Sequence, residues 1–526
     1  MLSRFGIIIG IKPYNASSNS KKENNTVTKK ILALILSVLM CSSLLLACTS
    51  GKDKASESSH SAVNTDEIDA TTFKVDSYIE SLAEQNDLDG ATFSYVGGGG
   101  QTATDEEETG NIENDALYKR QRELEEAFGI TWDSVKAEFS QGEGGGGHAV
   151  VELVKQAVMA DQKVYDLVYG TLVVSIQPLF NEDMLEDVSG FTVTDLSAEW
   201  WPSTLRDTHA IGGKMFFLTG PIITNYYFDG ASVLMNKAVA DNYNIELPYE
   251  KVKEGRWTFD EMFALANAIP YGTAGTTTVR FGDPQGLSFM FASGMTITKF
   301  DDDGKPYIEP NLPVELVDLC NRFSVIMGDE KQTASEKFTA STWESKEEKY
   351  GYKSFEDMFA DGMFLFYFSP TAAAAALREK DVEFGILPMP KNSADQKQYY
   401  SYADNWDARF CAVPRCTRDI ATTDVVIEAM AALSLKHIRP AFYDKLLKGR
   451  STHDTDSREM LDIIFSTKIY DIIDIYCIGN DSYSGPFVRN LEKALQFDSS
   501  TLASDYKVYS MTTNKQADKI MAMINR

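Results

Sequence analysis

Between residues 91 and 170 the sequence alternates between strand-like and helix-like stretches. The helical stretches repeat apolar residues every three or four positions, and the strand-like ones alternate or end in glycine. This order predicts an α/β fold with a parallel sheet and right-handed crossovers. The predicted elements are a strand at 91–100, a helix at 111–129, a strand at 130–140, a helix at 149–160 and a strand at 164–170.

The first predicted helix shows the pattern most clearly. Leu117, Leu124 and Phe128 fall on one stripe, and Gly129 follows as a stop signal. In parallel sheets, ligands bind beyond the carboxyl ends of the strands. The segments 95–98 and 169–172 are therefore the first places to expect a ligand.

An apolar run near the amino terminus predicts the compartment. Ile31 to Ala47 is 17 residues long, whereas a membrane-spanning helix needs about 20. Lysines precede the run and a polar segment follows it, as in a secretory signal. "LLAC" (45–48) resembles the bacterial lipobox, in which Cys48 is diacylated, and two acyl chains suffice for stable anchoring. We expect residues 1–47 to be a lipoprotein signal peptide, with an ordinary cleaved signal as the alternative.

The charge balance excludes one class of partner. The whole chain has a net charge of −27, and removing residues 1–47 takes away six basic residues and one acid, which leaves −32. A surface this acidic repels phosphate backbones, so we expect no nucleic-acid binding. Residues 48–72 are polar and predict a flexible tether ahead of a globular body of two or more domains.

Cofactor chemistry is not indicated. Neither "GGGGQTAT" nor "GEGGGGH" has the G-K-[ST] ending of a phosphate loop. The five histidines form no pair at ligand spacing, and "DDDG" lacks the ligands of a calcium loop, so we expect no metal and no cofactor. Four cysteines in the body are too few for a disulfide framework, and we favour buried free thiols over pairing. They are Cys320, Cys411, Cys416 and Cys477.

Several local patterns predict further elements. Thr258 and Glu261 form a capping box, with Trp257 and Met262 at the positions of a hydrophobic staple, which makes Trp257 structural. The remaining predictions are a short helix within 73–90, a hairpin turn at 300–310, a strand at 381–390 and a helix at 454–473.

Stretches along nearly the whole body resemble a known family. They are "NDALYKRQRELEEAFGI", "YDLVYGTL", "DLSAEWWP", "GGKMFFLTG", "VLMNKAVADNYN", "GRWTFDEMFALANAI", "FADGMFLF" and "FGILPMPKNSADQKQYYSY". In order and spacing they resemble the extracellular solute-binding proteins of family 1, the maltose-binding-protein-like sugar-binding lipoproteins of ABC importers.

The resemblance implies a periplasmic-binding-protein-like type II fold, with two α/β lobes joined by hinge strands around a cleft. It places lobe 1 at 73–227 plus 383–440 and lobe 2 at 228–382 plus 441–526. It also implies a monomer that binds a carbohydrate between the lobes and delivers it to the transmembrane permease subunits of an ABC importer.

A sugar-binding site needs aromatic side chains that stack on the faces of the sugar ring and polar groups that hydrogen-bond its hydroxyls. The family pattern implies contacts in the loops after strands and in the return segment. These are Tyr95, Tyr169, Thr171, Asp283, Gln285, Tyr367, Ser369, Tyr402, Asp404 and Trp406. Trp200 and Trp201 are adjacent and cannot share one face of a strand, so we expect at least one to line the cleft.

The predicted function is therefore a lipid-anchored, non-enzymatic receptor on the outer face of a bacterial membrane, which binds a sugar, more readily an oligosaccharide than an ion. A secreted glycoside hydrolase is the main alternative, and would need two carboxylates about 5–10 Å apart. An adhesin or structural lipoprotein is a third, but neither repeats nor Thr/Ser-rich stalks occur.

Overall fold

The structure is a computed structural model. It describes residues 65–97, 107–137, 147–205, 209–335, 343–404, 408–447, 455–479, 486–496 and 499–526. The proposed signal peptide with Cys48 lies outside these residues, as does Trp406.

The elements of the amino-terminal half are α1 (Thr65–Gln85), β1 (Thr92–Gly97), α2 (Ile112–Phe128), β2 (Thr131–Lys136), α3 (Gly147–Met159), β3 (Leu167–Thr171), α4 (Gln177–Asn181), β4 (Ala231–Asn236), α5 (Lys237–Asn242), α6 (Tyr249–Lys253) and α7 (Phe259–Ala266). A π-helical turn (Leu172–Ile176) follows β3, and a 3₁₀ turn (Thr224–Tyr227) precedes β4.

The elements that follow are β5 (Val279–Gly282), α8 (Gly286–Ala292), β6 (Lys299–Phe300), β7 (Pro306–Tyr307), α9 (Val314–Met327), β8 (Thr333–Ala334), α10 (Trp343–Tyr350), α11 (Phe355–Ala360), β9 (Phe364–Pro370), α12 (Ala372–Ala376), β10 (Phe384–Pro388), β11 (Ser401–Tyr402), β12 (Arg409–Ala412), α13 (Ile420–Leu447), α14 (Thr455–Ser466), β13 (Lys468–Ile469), α15 (Ile472–Ile475), α16 (Pro486–Gln496) and α17 (Leu502–Ile524).

The first sheet confirms the predicted strand–helix alternation. Its order is β12-β3-β1-β2, and β1 runs parallel to both β2 and β3. The late strand β12 joins the edge antiparallel to β3, with Arg409 opposite Thr171. Helix α2 begins where the Asn111 side chain accepts hydrogen bonds from two backbone N–H groups. It ends at Gly129, whose φ of 65° is favourable for glycine.

The second sheet has the order β10-β4-β9-β5-β8. Strands β5 and β9 are parallel, whereas β4 is antiparallel to β9 and to β10. Strand β10 confirms the strand predicted at 381–390. It pairs with β4 through Phe384 and Asn236, so it belongs to the second sheet although the predicted boundaries assign it to lobe 1.

Long helix α13 packs against the cores of both sheets. Val425 and Met430 in its first half lie in the cluster that contains Phe93 of β1. Phe442 and Leu446, beyond the internal Pro440, lie in the cluster that contains Leu234 of β4 and Phe364 of β9. Within the described part of the chain, no helix has the length and apolarity that crossing a bilayer requires.

Several local predictions are confirmed. The Thr258 side chain accepts a hydrogen bond from the Glu261 backbone N–H at 3.3 Å, and Trp257 and Met262 are fully buried beside it. Residues 300–310 turn between β6 and β7, which pair antiparallel. The four cysteines of the body are buried and free.

Two boundaries differ from the predictions. Helix α1 begins at Thr65, inside the segment assigned to the tether, and continues to Gln85. The helix predicted at 454–473 ends at Ser466 because Lys468 and Ile469 form strand β13, which pairs with β11. In the second case the apolar residues are spaced as in a helix, but the pairing of two distant segments places residues 468–469 in a strand instead.

Candidate functional site

A cavity of about 310 Å³ lies at the carboxyl-terminal edge of the second sheet. The parallel strands β5 and β9 end there, at Gly282 and Pro370. Because β4 runs antiparallel to β9, its first residue Ala231 lies opposite Pro370 at the same edge. This is the edge where open α/β sheets bind ligands.

Six residues predicted to contact a sugar line this cavity. They are Asp283, Gln285, Tyr367, Ser369, Tyr402 and Asp404. Residues that the sequence did not single out complete the lining: Asp229, Ala231, Ser232, Leu287, Ser288, Phe368, Pro370, Met389 and Glu492.

The loop after β5 positions an acid and an amide. Asp283 adopts a φ of 45°, a left-handed conformation that is uncommon outside glycine, and its backbone N–H donates to Ala334 O at 2.7 Å. Gln285 Nε2 donates to Asp283 Oδ2 at 3.2 Å, and Ser335 Oγ donates to Asp283 Oδ1 at 3.5 Å. A left-handed residue held by its neighbours is typical of functional loops.

Strand β9 contributes an aromatic wall and a hydroxyl. The Tyr367 hydroxyl donates to Glu356 Oε1 at 2.8 Å, so its ring is held in place. Ser369 is 6% exposed, and its Oγ has no hydrogen-bond partner among the described residues. Its backbone oxygen accepts from Ser232 Oγ at 3.0 Å. An unpartnered buried hydroxyl is costly, and a bound ligand hydroxyl would satisfy it.

Tyr402 forms another side of the cavity and is fixed from behind. Its ring stacks on Phe291 with centroids 4.4 Å apart, and its hydroxyl donates to Asp474 Oδ2 at 2.6 Å. Burial raises the pKa of the Asp474 carboxyl well above its ordinary value, and the nearby Asp404 carboxylate raises it further. Asp404 therefore lies close to the Tyr402–Asp474 pair.

A buried ion pair lies beside the cavity. Lys468 Nζ binds the Asp229 carboxylate and the Tyr226 backbone oxygen, and the two charged side chains are 0% and 1% exposed. Burial lowers the pKa of Lys468, and the Asp229 carboxylate opposes this shift. Asp229 thus has a basic partner that does not itself line the cavity.

The other predicted residues lie elsewhere. Tyr95 and Tyr169 are 5% exposed and stack on each other in the first sheet, with centroids 6.1 Å apart. Thr171 is half-buried at the carboxyl end of β3 and does not line the cavity.

Trp200 and Trp201 correct the expectation that adjacent side chains diverge. Both are buried, and their indole N–H groups donate to the two carboxylate oxygens of Glu428 at 2.9 and 2.8 Å. The expectation assumed a strand, but these residues lie in a turn and a bend, where neighbouring side chains can converge. Neither lines the cavity at the second sheet.

A larger cavity of about 630 Å³ lies between residues 196–203, α13 and α14. Trp201 is the one predicted contact residue in its lining, and Arg439 and Asp462 at its wall form an ion pair at 3.4 Å. The smaller cavity is the better candidate because it unites six predicted residues at the carboxyl ends of strands.

Neither a protein-family model nor a curated protein matches this sequence. Solved structures do. The cyclic alpha-maltosyl-1,6-maltose binding protein of Arthrobacter globiformis has a TM-score of 0.51 and 11% identity, over 82% of this chain and 100% of its own. A sugar transporter protein of Rhizobium etli in an open conformation has a TM-score of 0.51 and 13% identity, over 82% and 99%. The fold is that of type II periplasmic binding proteins.

A further similar structure is an ABC substrate-binding protein of Listeria monocytogenes in complex with cycloalternan. Its TM-score is 0.48 and its identity 14%, over 82% of this chain and 100% of its own. The two structures with a TM-score of 0.51 are named as a sugar-binding protein and a sugar transporter protein, and their likeness to this chain is one of fold.

Proposed function

We propose that the chain is the substrate-binding protein of an ABC importer and captures a carbohydrate, with an oligosaccharide as the expected form. The observation that supports this function is the convergence of Asp283, Gln285, Tyr367, Ser369, Tyr402 and Asp404 on one cavity. These residues supply the ring faces and the hydrogen-bonding groups that a sugar needs.

In this proposal the two sheets belong to two lobes that close on the ligand. Lobe 1 is 73–227 plus 383–440 and lobe 2 is 228–382 plus 441–526, except that β10 joins lobe 2 because it pairs with β4. The ligand contacts both lobes only in the closed form, so its binding shifts the population towards closure. Thr171 and Trp406 are then contacts from the side of lobe 1 and the return segment.

The proposal also includes the place of action. Cys48 would carry the lipid that anchors a monomer to the outer face of the bacterial membrane, next to the permease subunits that receive the sugar. An ATPase on the opposite side of the membrane would drive transport, so the receptor itself needs neither a nucleotide nor a cofactor.

Thermal unfolding of the purified full-length chain with a panel of mono- and oligosaccharides tests this function. A ligand at 100 times its dissociation constant adds about 2.7 kcal/mol to the free energy of unfolding, so a bound sugar raises the melting temperature. A panel without any shift would contradict carbohydrate binding. The same incubations should release no cleaved sugar, and turnover of a glycoside would instead support the hydrolase alternative.

A further inference from the structure

The larger cavity, of about 630 Å³, has the features of a separate binding site. Its volume falls within the roughly 300–1,000 Å³ of pockets that hold small organic ligands. Residues 196–203, helices α13 and α14 and the 3₁₀ turn before β4 form most of its wall. Within the described part of the chain, none of its lining residues also lines the cavity at the second sheet. A ligand here would therefore be additional to one bound there.

A buried ion pair links the walls of the two cavities. Tyr226 lines the larger cavity, whereas Asp229, three positions later, lines the smaller one. Lys468 Nζ binds both the Tyr226 backbone oxygen and the Asp229 carboxylate, and it lies 3.8 Å from the centre of the Tyr226 ring. The two cavities are thus neighbours with separate linings.

Aromatic rings are the main feature of the larger cavity. Its described lining includes five buried aromatic side chains, those of Trp201, Tyr226, Tyr227, Tyr443 and Phe465. The Tyr226 hydroxyl donates to Phe465 O at 2.7 Å, and the Trp201 indole N–H donates to Glu428 at 2.8 Å, so both rings are held in place. Rigid aromatic side chains offer apolar surface to a ring-shaped ligand.

One of these rings carries a hydroxyl without a partner. Tyr227 is 2% exposed, and its hydroxyl forms no hydrogen bond to any described residue. Burial raises the pKa of the Tyr227 phenol, and the guanidinium of Arg439, which also lines the cavity, opposes this shift, so the two groups are close together. A buried hydroxyl without a hydrogen bond costs free energy, and a ligand hydroxyl would supply the missing bond. A purely apolar ligand would not.

The charged side chains of the larger cavity are already paired. Arg439 forms an ion pair with Asp462 at 3.4 Å, and the Tyr443 hydroxyl donates to the same carboxylate. Glu199 pairs with Lys74 at 2.6 Å. No further Asp, Glu, Lys, Arg or His is among the described lining residues. A charged ligand would lose its hydration without gaining a partner of opposite charge, so the cavity favours a neutral one.

We propose that the larger cavity is a second binding site and that it takes a neutral carbohydrate. A sugar combines apolar ring faces, which stack on aromatic side chains, with hydroxyls that both donate and accept hydrogen bonds. One hydroxyl binds that of Tyr227, and others reach Arg439 and Asp462. This site is additional to the one in the proposed function, whose ligand lies at the second sheet.

Two matched variants test the second site, because each cavity has a buried hydroxyl without a partner among the described residues. Tyr227→Phe removes the hydroxyl of the larger cavity, and Ser369→Ala removes that of the smaller one. Calorimetric titration of the full-length chain with glucose, maltose, maltotriose and raffinose should detect two binding events per chain, from one probe or from two that do not compete. Tyr227→Phe should weaken one event about three- to tenfold, the effect of one neutral hydrogen bond, and leave the other unchanged. Ser369→Ala should do the reverse.

A control variant and a stability measurement separate binding from folding. Tyr271→Phe removes a tyrosine hydroxyl from a side chain that is 61% exposed and outside both cavities, so it should change neither event. Without ligand, Tyr227→Phe should melt at the same temperature as the unaltered chain or higher, because it removes an unsatisfied buried hydroxyl. A lower melting temperature would show that this hydroxyl stabilises the fold, and would contradict its assignment to a ligand.

The outcomes separate the second site from the proposed function. A single event that Ser369→Ala weakens and Tyr227→Phe leaves unchanged overturns the second site, and the proposed function stands. A single event that only Tyr227→Phe weakens supports a sugar in the larger cavity and contradicts the placement of the ligand at the second sheet. Two events that Tyr227→Phe leaves unchanged also overturn the inference. If none of the probes binds, both proposals fail.

Discussion

At the scale of single residues, partners distant in sequence decide the role of a side chain. Trp200 and Trp201 are of the residue type that often binds sugars, yet both side chains donate to Glu428, more than 200 positions later in the sequence. Tyr78 donates to the same carboxylate at 3.0 Å. The Asp195 backbone N–H is a fourth donor to this carboxylate, at 3.3 Å. No local pattern indicates that one buried acid collects four donors, so the convergence of the two indoles was not predictable, and an indole contact to a sugar stays a prediction.

Removing Glu428 should therefore destabilise the protein strongly. Glu428→Ala removes the acceptor of the two buried indole N–H groups, of the half-buried Tyr78 hydroxyl and of the Asp195 backbone N–H, and each unsatisfied buried donor costs about 1–3 kcal/mol. We expect a loss of at least about 3 kcal/mol in the free energy of unfolding, measured by chemical denaturation. Asp444→Ala, at an exposed position of the same helix α13, is the matched control. An equal, small loss in both variants would contradict the role assigned to Glu428.

Some residues that line the cavity could be predicted from the sequence and others could not. Asp283, Gln285 and Ser369 lie where strands end, a position that the sequence pattern and the family resemblance both indicate. Asp229 was missed because β4 runs antiparallel, which brings its amino end to the cavity, and strand direction is not visible in the sequence. Glu492 was missed because α16 reaches the cavity only through tertiary packing.

At the scale of elements, local signals predicted structure wherever the element could form from its own neighbours. The alternation of strands and helices in 91–170 correctly predicted the first sheet, and the pattern around Thr258 correctly predicted a capped helix. Only one half of the predicted capping box forms. Thr258 accepts from the Glu261 N–H, but the Glu261 carboxylate binds Lys251 Nζ. The helix predicted to reach residue 473 stops early because β13 pairs with β11, an interaction between distant segments.

The cap of α7 gives a test at this scale. Thr258→Ala removes the side-chain oxygen that accepts from the Glu261 N–H and should lower the free energy of unfolding by about 1 kcal/mol. Thr258→Ser keeps the oxygen and should restore most of that loss, as measured in denaturant. If the alanine and serine variants unfold at the same concentration, the hydroxyl does not cap the helix.

At the scale of the whole molecule, the proposed function requires residues from both sheets to contact one ligand. The cavity described here belongs to the second sheet and the return segment. The carboxyl end of the first sheet, at Thr171 opposite Arg409, is the surface that the proposed closure would add. To move the equilibrium from 1% to 99% closed, a ligand must bind the closed form about 10⁴-fold more tightly, which contacts from one lobe alone do not supply.

Closure therefore predicts that Thr171 matters although it lies outside the cavity. With a saturating sugar ligand, small-angle X-ray scattering of the full-length chain should show a smaller radius of gyration than without it. Thr171→Ala should weaken the ligand by about 1 kcal/mol, the contribution of one hydrogen bond, and require more ligand for the same compaction. Thr276→Ala, at an exposed position outside both surfaces, should leave affinity and compaction unchanged. A ligand that binds without compaction, and with equal affinity in the Thr171 variant, would show that the second-sheet cavity binds sugar alone and that the lobes do not close on it.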